Sequence, residues 1–370
     1  MRVTTYSIGA IGLTGTTDLD LGPYHPTKPG LTLLRVEETD GHVHTADFQP
    51  GYLHRGAEKL FEARDYRSVL MLADRHDWLA AFSGELVATL TVEHAMGLLP
   101  PRRAIWLRVF FAEAARLHSH LCYLSYLPFV ASDTALAKAV QSHIWALREA
   151  FSFCTGNRVH PMLNRLGGIS HEPAAEALRA VSEAAAASRP TLRSLACLLG
   201  DLPQLRVGVL NADDVDQYGL SGPVSAASGV RLDIRDTGYL TYGELPQAPA
   251  PADTTGDALA RFSALIEDAE HSAILIDKAL DLAPEGPINV RLAKIIKVPE
   301  GFYSGEVAAP WGVAGCHLVS RGERTPWRLG LRTPSFANCS ALSRALVGSP
   351  VEAIAHIVAS LGYGIGDLDR

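Results

Sequence analysis

The first regular pattern along the chain is an alternation of apolar and polar residues over 31–48. It runs through Leu33 and Val36, stops at Asp40-Gly41, and resumes at Val43. Because strand side chains point alternately to two faces, this spacing predicts two half-buried strands. Asp-Gly is a favoured two-residue turn. The sequence therefore predicts a β-hairpin near the N-terminus.

From about Glu58 the apolar residues recur every three to four positions, which is typical of helices with one buried face. The predicted helices span residues 79–97, 104–127, 133–154, 174–199 and 257–282. In the second of them one stripe contains Ile105, Val109, Leu117 and Leu121, and the opposite face contains Arg108 and Arg116. The centre of the chain is therefore predicted to be a bundle of long helices.

After Ile288 the alternation returns to every second residue. Strands are predicted in INVRLAKIIKV (288–298), SGEVAA (304–309), CHLVS (316–320) and PWRLGLRTP (326–334). A last helix is predicted to begin at Ser349 as its N-cap, with Pro350 in the first turn and Glu352 completing a capping box.

These patterns indicate an α+β fold in a single domain over residues 1–370. A small N-terminal β element covers about 1–57, a central long-helix bundle about 58–285, and mixed C-terminal strands with a helix about 286–370. Residues 244–257, which are rich in Pro and Ala, are predicted to be a surface loop of the bundle.

Composition narrows the class of partner. The chain has 370 residues, of which 47% are hydrophobic, and its 33 basic and 40 acidic side chains give a net charge of −7. This balance provides no basic footprint for nucleic acid or an anionic membrane. The longest apolar stretch, 79–90, is interrupted by Glu85, and the N-terminus lacks the pattern of a secretory signal. We therefore expect a cytosolic chain that reaches a membrane only through partner proteins.

The five cysteines are scattered along the chain, at Cys122, Cys154, Cys197, Cys316 and Cys339. No two lie within four residues of each other, so the Cys-x-x-Cys spacing of zinc, iron–sulfur and thioredoxin sites is absent. An odd number also argues against a disulfide framework. We expect these thiols to behave as small buried hydrophobes and the chain to hold no metal.

Other motifs of catalytic proteins are missing. The sequence contains no phosphate-binding loop, no H-E-x-x-H zinc helix and no G-x-S-x-G nucleophile elbow. His118 and His120 lie two apart on a predicted helix and should point to different faces. Two further candidate sites are predicted to have only a structural role. Asp213, Asp214 and Asp216 are predicted to begin a helix, and the glycine-rich segment 361–366 is predicted to form a turn.

The most informative feature of the sequence is a series of unusual short sequence motifs in a fixed order, which we call phrases. They are GPYHPTKPG (22–30), GYLHRGAEKL (51–60), DRHDW (74–78), RLHSHL (116–121), TGNRVHPMLNRLGG (155–168), YGLSGPVSAASGVRLDIR (218–235), RTPSFANCSAL (332–342) and GDLDR (366–370). In their order and spacing the chain resembles the D-type subunit of the proton-pumping NADH–quinone oxidoreductase (NDH-1), respiratory complex I. That family descends from the large subunit of nickel–iron hydrogenases.

The resemblance implies a hydrogenase large-subunit-like fold, in agreement with the predicted elements. Hydrogenase large subunits hold nickel and iron with two Cys-x-x-Cys pairs, one near each end of the chain. The corresponding phrases here, 51–60 and 366–370, contain no cysteine. Because such a site needs soft thiolate ligands, the sequence excludes a nickel–iron hydrogenase.

The resemblance also identifies a quinone chamber, and here the chain departs from its family. The family's G-P-x-H-P-x-x-H-G phrase keeps its first His as His25, but Pro29 occupies the quinone-facing second position. In the D-R-x-D-Y phrase, Trp78 replaces Tyr. Neither Pro29 nor Trp78 can release a proton at ordinary pH. Leu127 and Val130 likewise replace a His and an Asp.

Three other residues are candidates to restore a proton donor: His76, Tyr24 and Lys28. If the segment around His76 is helical, that side chain and Trp78 should face different directions.

The residues that the family places beside a partner's iron–sulfur cluster are retained. They are Arg55, Arg75, His160 and Arg165. A positive or protonatable group beside a cluster raises its reduction potential and couples reduction to proton uptake. The alternative is that these side chains are simply buried and paired.

The resemblance therefore predicts a divergent D-type paralogue, in a complex that transfers electrons from NADH to quinone and translocates protons. It would bind no cofactor itself and would sit on the cytoplasmic side of the membrane. The implied partners are the cluster-bearing B-type subunit, the C-type and I-type subunits, the H-type membrane subunit and quinone, without nucleic acid. A non-catalytic structural or regulatory member of a related redox complex is the alternative.

Overall fold

The computed structural model describes residues 1–9 and 12–369. Its N-terminal sheet has the order β2-β1-β3-β4 and contains β1 (Arg2–Gly9), β2 (Thr17–Asp18), β3 (Leu31–Thr39) and β4 (His42–Gln49). The predicted hairpin is confirmed, since β3 and β4 are antiparallel neighbours. Asp40 and Gly41 both adopt positive φ, of 52° and 77°, which is the conformation that a tight hairpin turn requires.

The bundle predicted from the three-to-four-residue period is also confirmed. Its helices are α1 (Ala57–Glu62), α2 (Tyr66–Ala73), α3 (Ala81–Met96), α4 (Arg102–Leu124), α5 (Tyr126–Val130), α6 (Thr134–Thr155), α7 (Ala175–Leu199), α8 (Ala212–Tyr218), α9 (Gly222–Ala227) and α10 (Ala258–Leu282). A short hairpin of β5 (Asn164–Arg165) and β6 (Gly168–Ile169) lies between α6 and α7. The acidic run at 213–216 does lie at a helix start, within α8.

Helix α4 is the centre of the bundle and packs most extensively against α10. It has no solvent face beyond its first turn, so Arg108 and Arg116 are buried on the side opposite the apolar stripe. Their charges are met inside the protein by Glu93 and Glu113, respectively. Amphipathic periodicity could not reveal this arrangement, because it assumes that charged residues face water.

The C-terminal sheet has the order β7-β8-β9 and contains β7 (Gly301–Ala309), β8 (Gly312–Ser320) and β9 (Arg328–Arg332). The strand predicted over 288–298 is wrong. That segment forms only an isolated bridge, between Asn289 and Gly168, and otherwise runs as a loop. A strand needs a continuous neighbour for its backbone hydrogen bonds, and this segment has none among the described residues.

The remaining helices are α11 (Pro334–Ser340), α12 (Leu342–Leu346), α13 (Ile354–Ser360) and α14 (Ile365–Leu368). The predicted last helix is present, but its N-cap at Ser349 is wrong: the Ser349 hydroxyl donates to the Ala345 carbonyl, and a 3₁₀ turn at Val351–Ala353 leads into α13. The cause is the N-terminal hairpin. The Val43 amide donates to the Ser349 carbonyl, and His42 forms a bridge with Pro350, so this stretch is held extended.

One continuous hydrophobic core includes side chains from the N-terminal sheet, the bundle and the C-terminal elements. The turn predicted over 361–366 is confirmed up to Gly364, after which α14 begins. Within the described residues, no helix combines the length and apolarity needed to cross a membrane.

Candidate functional site

The two ends of the chain meet beside the bundle. The Asp369 carboxylate accepts hydrogen bonds from the backbone amides of Gly51 (2.7 Å) and Leu53 (2.8 Å), and the His54 ring lies 3.3 Å from the Asp369 carbonyl oxygen. Two segments that are 318 residues apart in the chain thus form the walls of one groove. The groove has a volume of about 460 Å³ and is lined by residues including Pro50, His54, Glu58, Arg328, Phe336 and Asp369. Arg370 lies outside the described residues.

The resemblance places the nickel–iron site of hydrogenase large subunits at this meeting point, and the residues here do not fit that group. Both Asp369 oxygens already accept backbone amides, and the two phrases contribute no thiolate. Cys339 is buried, and burial and the charges of Asp367 and Asp369 raise the pKa of its thiol well above the usual range. Among the described residues, no three His, Cys, Asp or Glu side chains form a metal-binding group.

Beside the groove the four residues expected to face a partner's cluster come together; we call Arg55, Arg75, His160 and Arg165 the basic patch. Arg55 donates to the Arg75 carbonyl (3.0 Å), and the Arg75 guanidinium contacts the Met162 sulfur (3.3 Å). Arg165 donates to the Met162 carbonyl (2.8 Å). Residues from separate phrases thus converge on Met162.

Asp74 is the anchor of the basic patch, and sequence reasoning missed it. It is fully buried, forms an ion pair with the His160 ring, and accepts the Met162 amide at 3.3 Å. Its carboxylate also lies 3.7 Å from the Arg75 guanidinium. The His160 Nδ1 is bonded to Asp74, and 25% of the His160 side chain is exposed. The signal was present in the phrase Asp74-Arg75, but only the arginine was assigned a role.

Glu85 of α3 binds the segment that follows Met162. One of its oxygens accepts the Leu163 amide (3.2 Å), the Asn164 amide (3.1 Å) and the Asn164 side-chain amide (2.8 Å). Burial raises the pKa of Glu85 to about 8, and the negative charge of Asp74 adds to that shift. Glu85 therefore holds a proton at neutral pH.

Replacing Glu85 by Gln tests this protonation. Between about pH 5 and pH 8 the unfolded chain has lost the Glu85 proton while the folded chain keeps it, so stability falls as the pH rises. Gln preserves the accepting oxygen and has no proton to lose. We expect the variant to gain at least about 2 kcal/mol relative to the parent between those pH values, measured by urea unfolding. Glu149→Gln, at an exposed position, is the control; a pH-independent difference at Glu85 would contradict the assignment.

The three residues expected in a quinone chamber have separate surroundings. His25 is buried, with Nδ1 2.8 Å from the Thr27 hydroxyl and its ring edge-on to Tyr123. Burial, helped by the charge of Lys28, lowers the pKa of His25 to about 3. Pro29 is exposed at the surface.

Trp78 is half-buried and lines a different pocket, formed mainly by α3, α4 and α6. That pocket includes Phe82, His118, Phe151 and Arg158. Leu127 is fully buried in the core. Hence the structure brings the basic patch together, whereas His25 is a buried ring, Pro29 is an exposed residue and Trp78 lines a pocket of α3, α4 and α6.

Comparisons with known proteins agree with this architecture. A chain of the membrane-bound sulfane sulfur reductase, described as an archaeal respiratory membrane complex, is 28% identical in sequence. It superposes with a TM-score of 0.85 and covers 92% of this chain and 94% of its own. The fold and the cysteine-free meeting of the chain ends thus define a hydrogenase-like subunit of the respiratory type.

Sequence relatives give the family. The model of the respiratory-chain NADH dehydrogenase 49 kDa subunit matches residues 143–297 and 291–370. The second D-type subunit (D 2) of the NADH-quinone oxidoreductase of Streptomyces griseus is 42% identical over 100% of this chain and 97% of its own length. The first D-type subunit (D 1) of Streptomyces coelicolor is 40% identical over 99% of each chain. The chain belongs to the 49 kDa, D-type subunit family of NADH–quinone oxidoreductases.

Proposed function

We propose that this chain is a D-type subunit of an NADH–quinone oxidoreductase and encloses, with a cluster-bearing partner, the chamber where electrons reach quinone. The observation that carries the proposal is the basic patch: Arg75 and Arg165 both contact Met162, Arg55 donates to Arg75, and His160 pairs with the buried carboxylate of Asp74. The side chains of Arg75 and His160 are 40% and 25% exposed, so a docked partner can reach them.

An iron–sulfur cluster held by the partner would supply single electrons. The residues of this chain would act on its charge: the arginines favour the more negative, reduced state, and His160 can take up a proton as that state forms. Asp74 fixes the ring orientation of His160 through the bond to its Nδ1. The chain itself would bind no cofactor, and proton translocation would belong to the membrane part of the assembly.

The assembly would include the B-type, C-type and I-type subunits and the H-type membrane subunit, with this chain peripheral on the cytoplasmic side. A second candidate function is a non-catalytic paralogue in a related redox complex. Pro29 and Trp78 favour that alternative, because neither can donate a proton to a quinone. The buried, neutral His25 also lacks an acidic proton at neutral pH.

One reconstitution separates the two candidates. The complex is assembled with this chain as its only D-type subunit, and inhibitor-sensitive electron transfer from NADH to quinone is measured. Turnover supports the catalytic proposal. Intact assembly without turnover would reject it in favour of the non-catalytic paralogue.

The effect of Pro29 and Trp78 on quinone reduction can be tested in the same reconstituted complex. We expect the double variant Pro29→His/Trp78→Tyr to turn over quinone about tenfold faster than Pro29→His/Trp78→Phe, because a positioned proton donor contributes at least about that much. Tyr and Phe differ only in the hydroxyl group, so packing effects cancel. Equal rates at matched assembly would show that position 78 does not limit the chemistry.

A further inference from the structure

His76 is a buried histidine with an acceptor at each ring nitrogen. Its Nδ1 donates to the Ala73 carbonyl, and its Nε2 lies 3.2 Å from the Asp367 carboxylate, which also accepts the Ser335 amide (3.1 Å). A neutral imidazole has a single N–H and cannot donate to both. The pair of His76 and Asp367 therefore holds one proton more than a neutral ring facing a carboxylate.

The surroundings of the pair favour placing that proton on the imidazole ring of His76. Burial opposes the charge, but the hydrogen bond and the negative charge of Asp367 raise the pKa of His76 above its ordinary value. The other deeply buried rings behave differently. Burial lowers the pKa of His25 and of His118 to about 3 and also lowers that of His120.

Asp77 completes the group. One of its oxygens accepts the Leu79 amide at 2.9 Å, and the other is buried without a partner. Burial, followed by the charge of Asp367, raises the pKa of Asp77 to about 7. We call His76, Asp77 and Asp367 the buried acid–base cluster. With one imidazolium and two carboxyl groups, it exchanges one proton close to neutral pH.

The other polar groups around this cluster do not compete for its proton. Arg332 lines the same small cavity, but its guanidinium donates to the carbonyls of Val313 and Gly219. The Cys339 thiol and the Tyr123 hydroxyl lie nearby, and burial raises the pKa of each well above its usual range. The cavity holds about 10 Å³, close to the volume that one water molecule needs.

The cluster is connected to Trp78 through the chain at Asp77 and through Gly366, the residue before Asp367. Residues 74–80 form turns between α2 and α3, so the opposed directions expected for a helix do not apply. Both His76 and Trp78 pack against Gly366: a Cβ there would lie 1.9 Å from the His76 carbonyl oxygen and 3.1 Å from the Trp78 ring. Gly366, the chain neighbour of Asp367, thus lies between the His76 backbone and the ring of the side chain that replaces the family's tyrosine.

We propose that the buried acid–base cluster stores a proton for quinone reduction and so compensates in part for the proton donors lost at positions 29 and 78. The proposal rests on the proposed function. For each quinone, two electrons come in turn from the partner's reduced iron–sulfur cluster and two new O–H bonds form. One proton leaves the buried acid–base cluster, which water then reprotonates, and the other proton comes from solvent.

The stored proton is tested first in the full chain alone, by ¹⁵N NMR of the histidine rings. We expect one imidazolium signature that persists above about pH 6.5, the ordinary pKa of a histidine ring. It should be absent from His76→Gln and remain in His143→Gln, a half-buried ring on α6. Conversion of the His76 ring to the neutral form below about pH 6.5 would overturn the proposal.

The role in turnover is tested in the reconstituted complex. We expect His76→Gln to lower kcat about tenfold with little change in the KM for quinone, and Asp77→Asn to shift the alkaline limb of the pH profile. His143→Gln should match the parent. Turnover with an unaltered pH profile in both cluster variants would overturn this inference and leave the proposed function standing. No parental turnover despite a His76 imidazolium would instead reject the proposed function and reduce the cluster to a structural ion pair.

Discussion

Replacing Arg108 by Met is expected to lower the free energy of unfolding by about 3–5 kcal/mol, because it leaves a buried carboxylate without its counter-charge. The Arg108 guanidinium forms a two-point contact with Glu93, at 2.8 and 2.7 Å, and neither side chain reaches solvent appreciably. It also donates to the carbonyls of Arg165 (3.0 Å) and Gly168 (2.8 Å). One side chain thus joins α3, α4 and the β5–β6 hairpin that positions the basic patch.

Urea unfolding measures the effect, with Arg102→Met as the matched control on the same helix. Arg102 pairs with Glu244 at the surface, where an ion pair contributes at most about 1 kcal/mol. The double variant Arg108→Met/Glu93→Met should recover part of the loss, since it removes the stranded charge. Equal losses for the Arg102 and Arg108 variants would contradict the buried-pair assignment.

Replacing Arg235 by Met is the second change with a large expected effect, again a loss of about 3–5 kcal/mol. Arg235 bonds to Asp268 (2.6 Å), Asp233 (2.8 Å) and Glu113 (3.3 Å) between α4 and α10. Without it, Glu113 and Asp268 share the guanidinium of Arg116, and Asp233 has no ion-pair partner left among the described residues. The expected loss follows from repulsion and desolvation that no remaining group offsets.

The loss of folding stability caused by Arg235→Met should depend on pH. Burial works in the opposite direction, but Arg235 and Arg116 hold the pKa of Asp268 well below its usual range. A carboxyl with a lowered pKa contributes stability that is present above about pH 4 and is lost as the pH falls further. The difference between the parent and Arg235→Met should therefore be largest near neutral pH and shrink in acid. Arg231→Met is the neighbouring control, because Arg231 pairs with Asp236 in a half-exposed position.

Much of the local structure could be predicted from sequence. The hairpin turn at Asp40-Gly41 and the helix end at Gly97 follow from residues that tolerate positive φ. The failures occur where a distant segment decides the outcome. Residues 288–298 have the period of a strand but no neighbouring strand among the described residues, and Ser349 has the chemistry of an N-cap but is held extended by the hairpin.

The candidate site, like the fold, could be predicted from sequence only in part. The phrases identified Arg55, Arg75, His160 and Arg165 individually, because residue type and order are local properties. That Arg75 and Arg165 meet at Met162 and that His160 pairs with Asp74 depends on a contact between segments 86 residues apart. Asp74 and Asp77 could not be assigned a role for this reason: a carboxylate in a sequence carries no sign of whether it will be solvated or buried.

The sequence by itself determined the family, the succession of elements and the absence of the paired cysteines that a nickel–iron site needs. Only the tertiary structure decided which charges are buried and which protons are retained. Protonation depends on desolvation and on neighbours brought from elsewhere in the chain. His76 shows this most clearly, since its extra proton is fixed by Asp367, 291 residues away.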